Sequence, residues 1–156
     1  MTDERAKPLS DFVAWAAEQI TGDEKGQAQI FLDRFFQALG HKGCLDVGGT
    51  PEFRVRKGRE AGGGVAFADY VWKPYVLIEM KKRGEDLTRH YRQAFDYWIQ
   101  LVPGRPRYTV LCNFDEFWVY DFETQMDEPV DRLPLNELPA RFGPLAFLFP
   151  SHDRPV

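Results

Sequence analysis

The chain has 156 residues, of which 44% are hydrophobic and 28% are charged, and its net charge is −4. This length is typical of one domain with a substantial core, and the acidic total argues against a protein that coats nucleic acid with its whole surface. The charged N-terminus is followed by no apolar segment, and the sequence has no run of 18 apolar residues. We therefore expect no signal peptide and no membrane span. Two cysteines without a pairing pattern favour a reducing, cytoplasmic compartment.

Two helices are predicted at the start of the chain. The first covers about residues 10–20, with Ser10 as its N-cap and apolar residues at helical spacing. The second covers about residues 23–39 and ends at Gly40. Its apolar residues form a stripe wide enough to pack on a sheet, and they are Ala28, Phe31, Leu32, Phe35, Phe36 and Leu39.

Residues 43–64 are glycine-rich and predicted to be irregular, with an edge strand around Val55, which alternates with Arg54 and Arg56. Together with Lys57, these cations predict a flexible basic loop over a phosphate backbone. The alternative is a mobile loop whose cations are simply solvated.

A β-hairpin is predicted next, with strands over residues 65–72 and 75–81 and a turn at Lys73-Pro74. Alternation along the second strand places Glu79 and Lys81 on one face, opposite Val76, Ile78 and Met80. Asp69 precedes the turn and can lie beside Glu79. The charged face must therefore meet either water or a functional site.

The rest of the chain predicts a helix over residues 86–102, strands over 107–112 and 117–122, and a proline-rich tail over 123–156 with short helical turns near 135–141 and 145. The resulting order, ααβββαββ, indicates an α/β (α+β) fold with a mixed sheet flanked by helices. A single domain is expected over residues 1–156, with its core in about 10–122.

Charge is distributed unevenly along the chain. Residues 81–107 contain seven Lys and Arg and three acids, whereas residues 113–137 contain eight acids and one Arg. The basic segment, which includes Lys82, Arg83 and Arg89, is a candidate surface for a phosphate backbone. Solvated faces of opposite charge are the alternative.

The arrangement Asp69-x9-Glu79-x-Lys81 is a candidate site for a hard divalent cation. Mg²⁺ binds through one or two carboxylates, waters and substrate phosphate, so Asp69 and Glu79 are predicted ligands and the Met80 carbonyl a third. Lys81 can orient the attacking water or offset charge in the transition state. A surface strand with an ion pair is the alternative reading of these residues.

Several further motifs follow one another in a distinctive order. They are Glu24-x4-Gln29-x-Phe31, Phe67-Ala68-Asp69, Val76-Leu77-Ile78-Glu79-Met80-Lys81, Tyr91-x-Gln93-Ala94-x-Asp96-Tyr97 and Asn113-Phe114-Asp115-x-Phe117. Gln93 and Tyr97 are one helical turn apart and can reach the site or DNA. Over about residues 23–121 the sequence resembles the PD-(D/E)XK nuclease superfamily. More narrowly, it resembles the N-terminal nuclease domain of MmeI-like (type IIL) restriction-modification enzymes.

The resemblance implies a Mg²⁺-dependent endonuclease that hydrolyses DNA phosphodiester bonds, with Mn²⁺ as a substitute metal. Asp69 and Glu79 would bind the metal and Lys81 would be the catalytic lysine. Gln93 and Tyr97 match the Gln-x-x-x-Tyr element of the RecB-like branch. An acid in the second helix, Glu24 by position, would assist the metal, with Gln27 and Gln29 as competing candidates.

MmeI-like enzymes continue with a helical spacer, an adenine methyltransferase domain and a target recognition domain, none of which is found in these 156 residues. The chain is therefore expected to be an excised domain or a standalone relative. Its expected partners are double-stranded DNA and the missing domains, and S-adenosylmethionine would act only through those domains. A non-catalytic DNA-binding module and an RNA- or structure-specific nuclease are the alternatives.

Overall fold

The computed structural model describes residues 3–58 and 62–150, apart from the side chains of Glu24 and Lys25. Within these residues the helices are α1 (Ala6–Gln19), α2 (Glu24–Ala38) and α3 (Tyr91–Ile99), and the strands are β1 (Thr50–Arg56), β2 (Val65–Trp72), β3 (Val76–Met80), β4 (Tyr108–Cys112), β5 (Glu116–Tyr120) and β6 (Asp131–Pro134). Short 3-10 turns occur at Leu87–Arg89, Leu135–Glu137 and Gly143–Leu148. No helix in the described ranges has the length and apolar character needed to cross a membrane.

The strands form one mixed sheet in the order β1-β2-β3-β4-β5-β6. Only the β3–β4 pair is parallel, and the remaining neighbours are antiparallel. A parallel pair needs a crossover between its strands, and α3 provides it. The predicted mixed sheet flanked by helices is therefore confirmed.

Helices α1 and α2 cover one face of the sheet. Phe31, Phe35 and Phe36 of α2 are at most 1% exposed, and the ring of Phe31 lies 5.1 Å from that of Phe114. The core on this side also contains Val76, Ile78 and Met80 of β3. The predicted apolar stripe of the second helix thus packs against the predicted apolar face of the hairpin.

Helix α3 covers the opposite face. Its residues Ala94 and Trp98 are buried in a second cluster with Leu77 and Leu111. The Trp98 indole Nε1 donates a hydrogen bond of 2.7 Å to the Pro106 carbonyl, which fixes the end of α3 near the start of β4. Because Leu77 and Glu79 share one face of β3, α3 packs on the face that carries Glu79.

Three predicted helix boundaries are wrong. Ser10 is not an N-cap, because α1 begins at Ala6 and buries Leu9 completely. The third helix begins only at Tyr91, since the Asp86 carboxylate accepts the Thr88 N–H at 3.0 Å and caps a separate 3-10 turn. The helix also ends before the predicted residue 102.

One strand confirms a prediction and one was not predicted. Strand β1 contains Val55 and pairs in register with β2 at the edge of the sheet, so the predicted edge strand is confirmed, and Arg54 and Arg56 lie on it and not in a flexible loop. Strand β6 was not predicted because Leu133 is its single buried residue and Pro134 ends it. Leu133 nevertheless joins the core on the α1–α2 side.

Candidate active site

The β2–β3 hairpin brings the carboxylates of Asp69 and Glu79 together. Its ladder pairs Tyr70 with Ile78 and Val71 with Leu77, so residues 69 and 79 are the next positions along the two strands. In place of a further ladder bond, the Asp69 N–H donates to Glu79 Oε1 at 3.2 Å. The Met80 N–H in turn donates to Asp69 Oδ2 at 2.7 Å. Each carboxylate is thereby held by the backbone of the opposite strand.

Burial makes this pair of carboxylates difficult to ionise. Glu79 is only 4% exposed, and its burial, followed by the nearby Asp69 charge, raises its pKa well above the usual value. Burial also raises the pKa of Asp69, although the hydrogen bond from Met80 opposes this shift. A cation bound between the two groups would favour the charged form of both.

Lys81 lies one residue beyond β3, beside the two acids. Its N–H donates to the Cys112 carbonyl at 2.7 Å, which anchors this residue to β4. Its ammonium Nζ donates to Gln93 Oε1 on α3 at 3.1 Å, and its positive charge partly offsets the rise in the pKa values of Asp69 and Glu79. Lys81 and Gln93, each predicted as a site residue, are therefore in direct contact.

Tyr97 lies one turn after Gln93 on α3. Its phenol is half-buried, and burial followed by the charges of Glu79 and Asp69 raises its pKa. The α3 surface that carries Gln93 and Tyr97 thus faces the carboxylate pair, as the one-turn spacing predicts. The structure brings five predicted catalytic residues to one place: Asp69, Glu79, Lys81, Gln93 and Tyr97.

The candidate residues of α2, Gln27 and Gln29, make different hydrogen bonds. The Gln29 side chain donates from Nε2 to the Asp69 carbonyl at 3.2 Å, so Gln29 supports the site through the backbone. Gln27 instead accepts the N–H groups of Thr21 and Gly22, each at 2.8 Å, and holds the turn before α2. The side chain of Glu24 lies outside the described part of the structure.

Glu52 is a neighbour of the site that sequence reasoning missed. It stands across from Asp69 on β1, and its negative charge adds to the rise in the Asp69 pKa. Its backbone adopts φ 51°, a left-handed conformation that is uncommon for a residue other than glycine. Neither its charge nor its spacing distinguishes Glu52 in the sequence, because the pairing of β1 with β2 is what brings it close.

The predicted DNA-binding cations occupy two regions. Arg54 and Arg56 are exposed on β1, and Lys57 follows them. Lys82 and Arg89 are exposed in the segment between β3 and α3. Arg83 makes contacts within the fold: its guanidinium donates to Asp115 Oδ1 at 3.1 Å and to the Ile20 carbonyl at 3.0 Å.

The donor set is consistent with a hard divalent cation. In the described residues no group of three or more His, Cys, Asp or Glu side chains is arranged for metal binding, so the site offers two carboxylates. Each accepts one backbone N–H, and the two side chains also hydrogen-bond each other, an interaction that a bound cation would replace. Two carboxylates, waters and a phosphate oxygen are a usual Mg²⁺ environment, whereas the Met80 carbonyl stays a predicted ligand.

Comparisons with known proteins identify the family and a similar fold. The family described as "MmeI, N-terminal domain" matches residues 4–155. No curated protein matches the chain. A chain in the cryo-electron microscopy structure of a DrdV–DNA complex has a similar fold, with a TM-score of 0.50 and 18% sequence identity. The similarity covers 96% of the present chain and 13% of that chain, so the present chain spans a small part of the other's length.

Proposed function

Since this chain belongs to the family of MmeI N-terminal domains, we propose that it is a Mg²⁺-dependent DNA endonuclease domain of the PD-(D/E)XK type. It would serve a restriction-modification or phage-defence system in the cytoplasm. One observation carries this proposal: a buried carboxylate, a half-buried carboxylate and a lysine meet beside β3. Burial of such charged groups is unfavourable for folding. A function at this position gives a physical reason for their presence.

Each residue of the site has a separate role in the proposed phosphodiester hydrolysis. Asp69 and Glu79 would hold Mg²⁺, which would supply a water of lowered pKa and positive charge near the phosphoryl oxygens. Lys81 orients the attacking water or offsets negative charge in the transition state. Gln93 positions the Lys81 ammonium through the hydrogen bond of 3.1 Å, and Tyr97 closes the α3 side of the site.

Double-stranded DNA is the proposed substrate. Exposed cations precede and follow the two carboxylates in the sequence, Arg54 and Arg56 on β1 and Lys82 and Arg89 after β3, and are suited to phosphate contacts. They would provide positive charge for DNA in a chain whose net charge is −4.

We further propose that the chain works as one part of a larger restriction-methyltransferase polypeptide. The family is described as an N-terminal domain, and the similar fold occupies 13% of the DrdV chain. Sequence recognition and any dependence on S-adenosylmethionine would then reside in methyltransferase and target recognition domains. The present residues would supply the cleavage chemistry.

Metal binding can be measured without cleavage. We expect Mn²⁺, followed by the loss of its free electron paramagnetic resonance signal, to bind the chain, and Asp69→Asn to weaken binding at least about tenfold. Removing a carboxylate takes away both a ligand oxygen and a negative charge. Asp11→Asn, at an exposed carboxylate on α1, should bind Mn²⁺ like the unsubstituted chain. Equal affinity in Asp69→Asn would contradict the proposed metal site.

Substrate comparison separates this proposal from its alternatives. A non-catalytic module of the same fold would bind DNA without metal dependence and cleave nothing. An RNA- or structure-specific nuclease would use the same residues but prefer RNA or branched DNA to a linear duplex. Cleavage of linear duplex DNA at a rate equal to or above that of the other substrates is the result expected here.

A further inference from the structure

The β1–β2 hairpin extends past the rest of the sheet. Strand β3 pairs with β2 only over residues 70–72, whereas β1 pairs with β2 as far as Val65. The Lys57 N–H donates to the Gly64 carbonyl and the Gly63 N–H to the Gly58 carbonyl, each at 2.9 Å, which continues the pairing. Residues 53–58 and 62–68 therefore form a two-stranded projection, called the ribbon below.

The two faces of the ribbon differ in burial. On the inner face, Val55 is 2% and Ala68 is 0% exposed, and both join the core cluster of α3. On the outer face, Phe67 is 60% and Val65 is 44% exposed. Their cross-strand partners are Arg54 and Arg56, both also exposed. Directly opposite residues share a face, so two cations and two apolar side chains form one continuous outer surface.

Protection of the sheet edge explains only part of this surface. Cations on an edge strand discourage pairing with another chain, and this would account for Arg54 and Arg56. It does not account for Phe67, because an exposed aromatic ring promotes association. Arg54, Arg56 and Lys57 form no ion pair with any residue in the described ranges, so their charges are available to an anionic partner.

The ribbon is continuous with the candidate active site. Phe67 precedes Asp69 by two residues on the same strand, so their Cα atoms are about 7 Å apart. Ala68 packs in the α3 cluster, whereas Tyr70 packs in the core under α1 and α2, so β2 changes face between them, and Phe67 and Asp69 are close neighbours along this strand. A molecule bound to the outer face would therefore lie within about two residues of Asp69 along β2.

We propose that the outer face of the ribbon binds duplex DNA, with Phe67 in a groove against sugars and base edges and Arg54 and Arg56 at flanking phosphates. This inference rests on the proposed nuclease function and adds the element that holds the substrate. The charges of the face complement a phosphate backbone, and a two-stranded ribbon has the dimensions to enter a major groove.

Fluorescence anisotropy of a labelled DNA duplex tests the inference, in a chelator that prevents cleavage and at several salt concentrations. Phe67→Ala should weaken binding about tenfold, since it removes apolar burial, without changing the slope of log K against log salt. Arg54→Ala/Arg56→Ala should weaken binding and reduce that slope by about 2, close to one per lost phosphate contact. Ile30→Ala and Lys42→Ala replace exposed residues outside the ribbon and should match the unsubstituted chain.

The inference is overturned if the unsubstituted chain binds no duplex, if Phe67→Ala retains full affinity, or if the double arginine variant keeps the original salt slope. A change of oligomeric state in Phe67→Ala with unchanged DNA affinity would assign the face to a protein contact instead, and would also overturn it. Because binding is measured without metal, the result is independent of cleavage. Ribbon-dependent binding by a chain that never cleaves DNA would count against the nuclease function alone.

Discussion

Replacing Glu79 by glutamine is expected to raise the free energy of unfolding of the metal-free protein at pH 7 by about 1–3 kcal/mol. The buried Glu79 carboxyl must either carry a poorly solvated charge or take up a proton, because burial and Asp69 raise its pKa well above 4.5. A glutamine needs neither, and its side-chain oxygen can still accept the Asp69 N–H. Urea denaturation of the two proteins in a chelator gives the difference. Glu18→Gln, at an exposed position of α1, should change stability by less than about 0.5 kcal/mol.

The gain in free energy of unfolding on Glu79→Gln should depend on pH in a defined direction. The folded-state pKa of Glu79 lies above its unfolded value, so the folded state binds the proton more tightly. This stabilisation is complete below about pH 4.5 and is lost as the pH rises through the folded-state pKa. The difference in the free energy of unfolding between variant and unsubstituted protein should therefore increase as the pH rises from about 4.5 toward the folded-state pKa. A difference that shrinks over this range would contradict the account.

Magnesium should reverse the order of stability, so that the unsubstituted protein becomes more stable than Glu79→Gln. A ligand that binds only the folded state stabilises it by mass action, so Mg²⁺ should stabilise the unsubstituted protein and leave Glu79→Gln nearly unchanged. The substitution thus exchanges a metal ligand for stability. Equal stabilisation of both proteins by Mg²⁺ would mean that Glu79 is not a ligand.

Lys81→Ala is expected to reduce the rate of DNA cleavage by about 10²- to 10³-fold or more, the range seen when a charge-stabilising group is removed from an active site. Lys81 is the cation whose charge acts on both Asp69 and Glu79, and its ammonium is held by Gln93. Single-turnover cleavage at saturating DNA measures the chemical step apart from binding. The free energy of unfolding should change by no more than about 1 kcal/mol, because Lys81 is a half-buried surface residue.

Lys82→Ala is the matched control for this experiment. Lys82 adjoins Lys81 in sequence and carries the same charge, but it is exposed and is not one of the residues of the carboxylate site. Its replacement should weaken DNA binding at low salt without slowing the chemical step. A Lys82→Ala variant as defective as Lys81→Ala at saturating DNA would show that general loss of charge, and not the position of Lys81, explains the effect.

The hairpin and its charged residues were predictable because two local signals agree. The Lys73-Pro74 turn separates two β-rich segments, and alternation assigns Glu79 to the face opposite Ile78. The one-turn spacing of Gln93 and Tyr97 likewise predicts a shared helix face. These features depend on residues close together in the chain, where periodicity is informative.

The remaining features depend on contacts between distant parts of the chain. The hydrogen bond from Gln29 to the Asp69 carbonyl joins residues 40 positions apart, and no local pattern predicts which glutamine of α2 makes it. The engagement of Arg83 by Asp115 and the separate cap at Asp86 arise in the same way. A count of charges along the sequence could not distinguish Arg83 from its exposed neighbour Lys82.

Conversion of supercoiled plasmid to nicked or linear DNA by the chain is the most direct measurement. Conversion is expected with Mg²⁺, none is expected with a chelator, and none is expected for Asp69→Asn in the presence of Mg²⁺. Conversion that persists in a chelator, equal conversion by Asp69→Asn, or no conversion by the unsubstituted chain while it binds both metal and duplex would contradict the proposal that Asp69, Glu79 and Lys81 form a metal-dependent nuclease site.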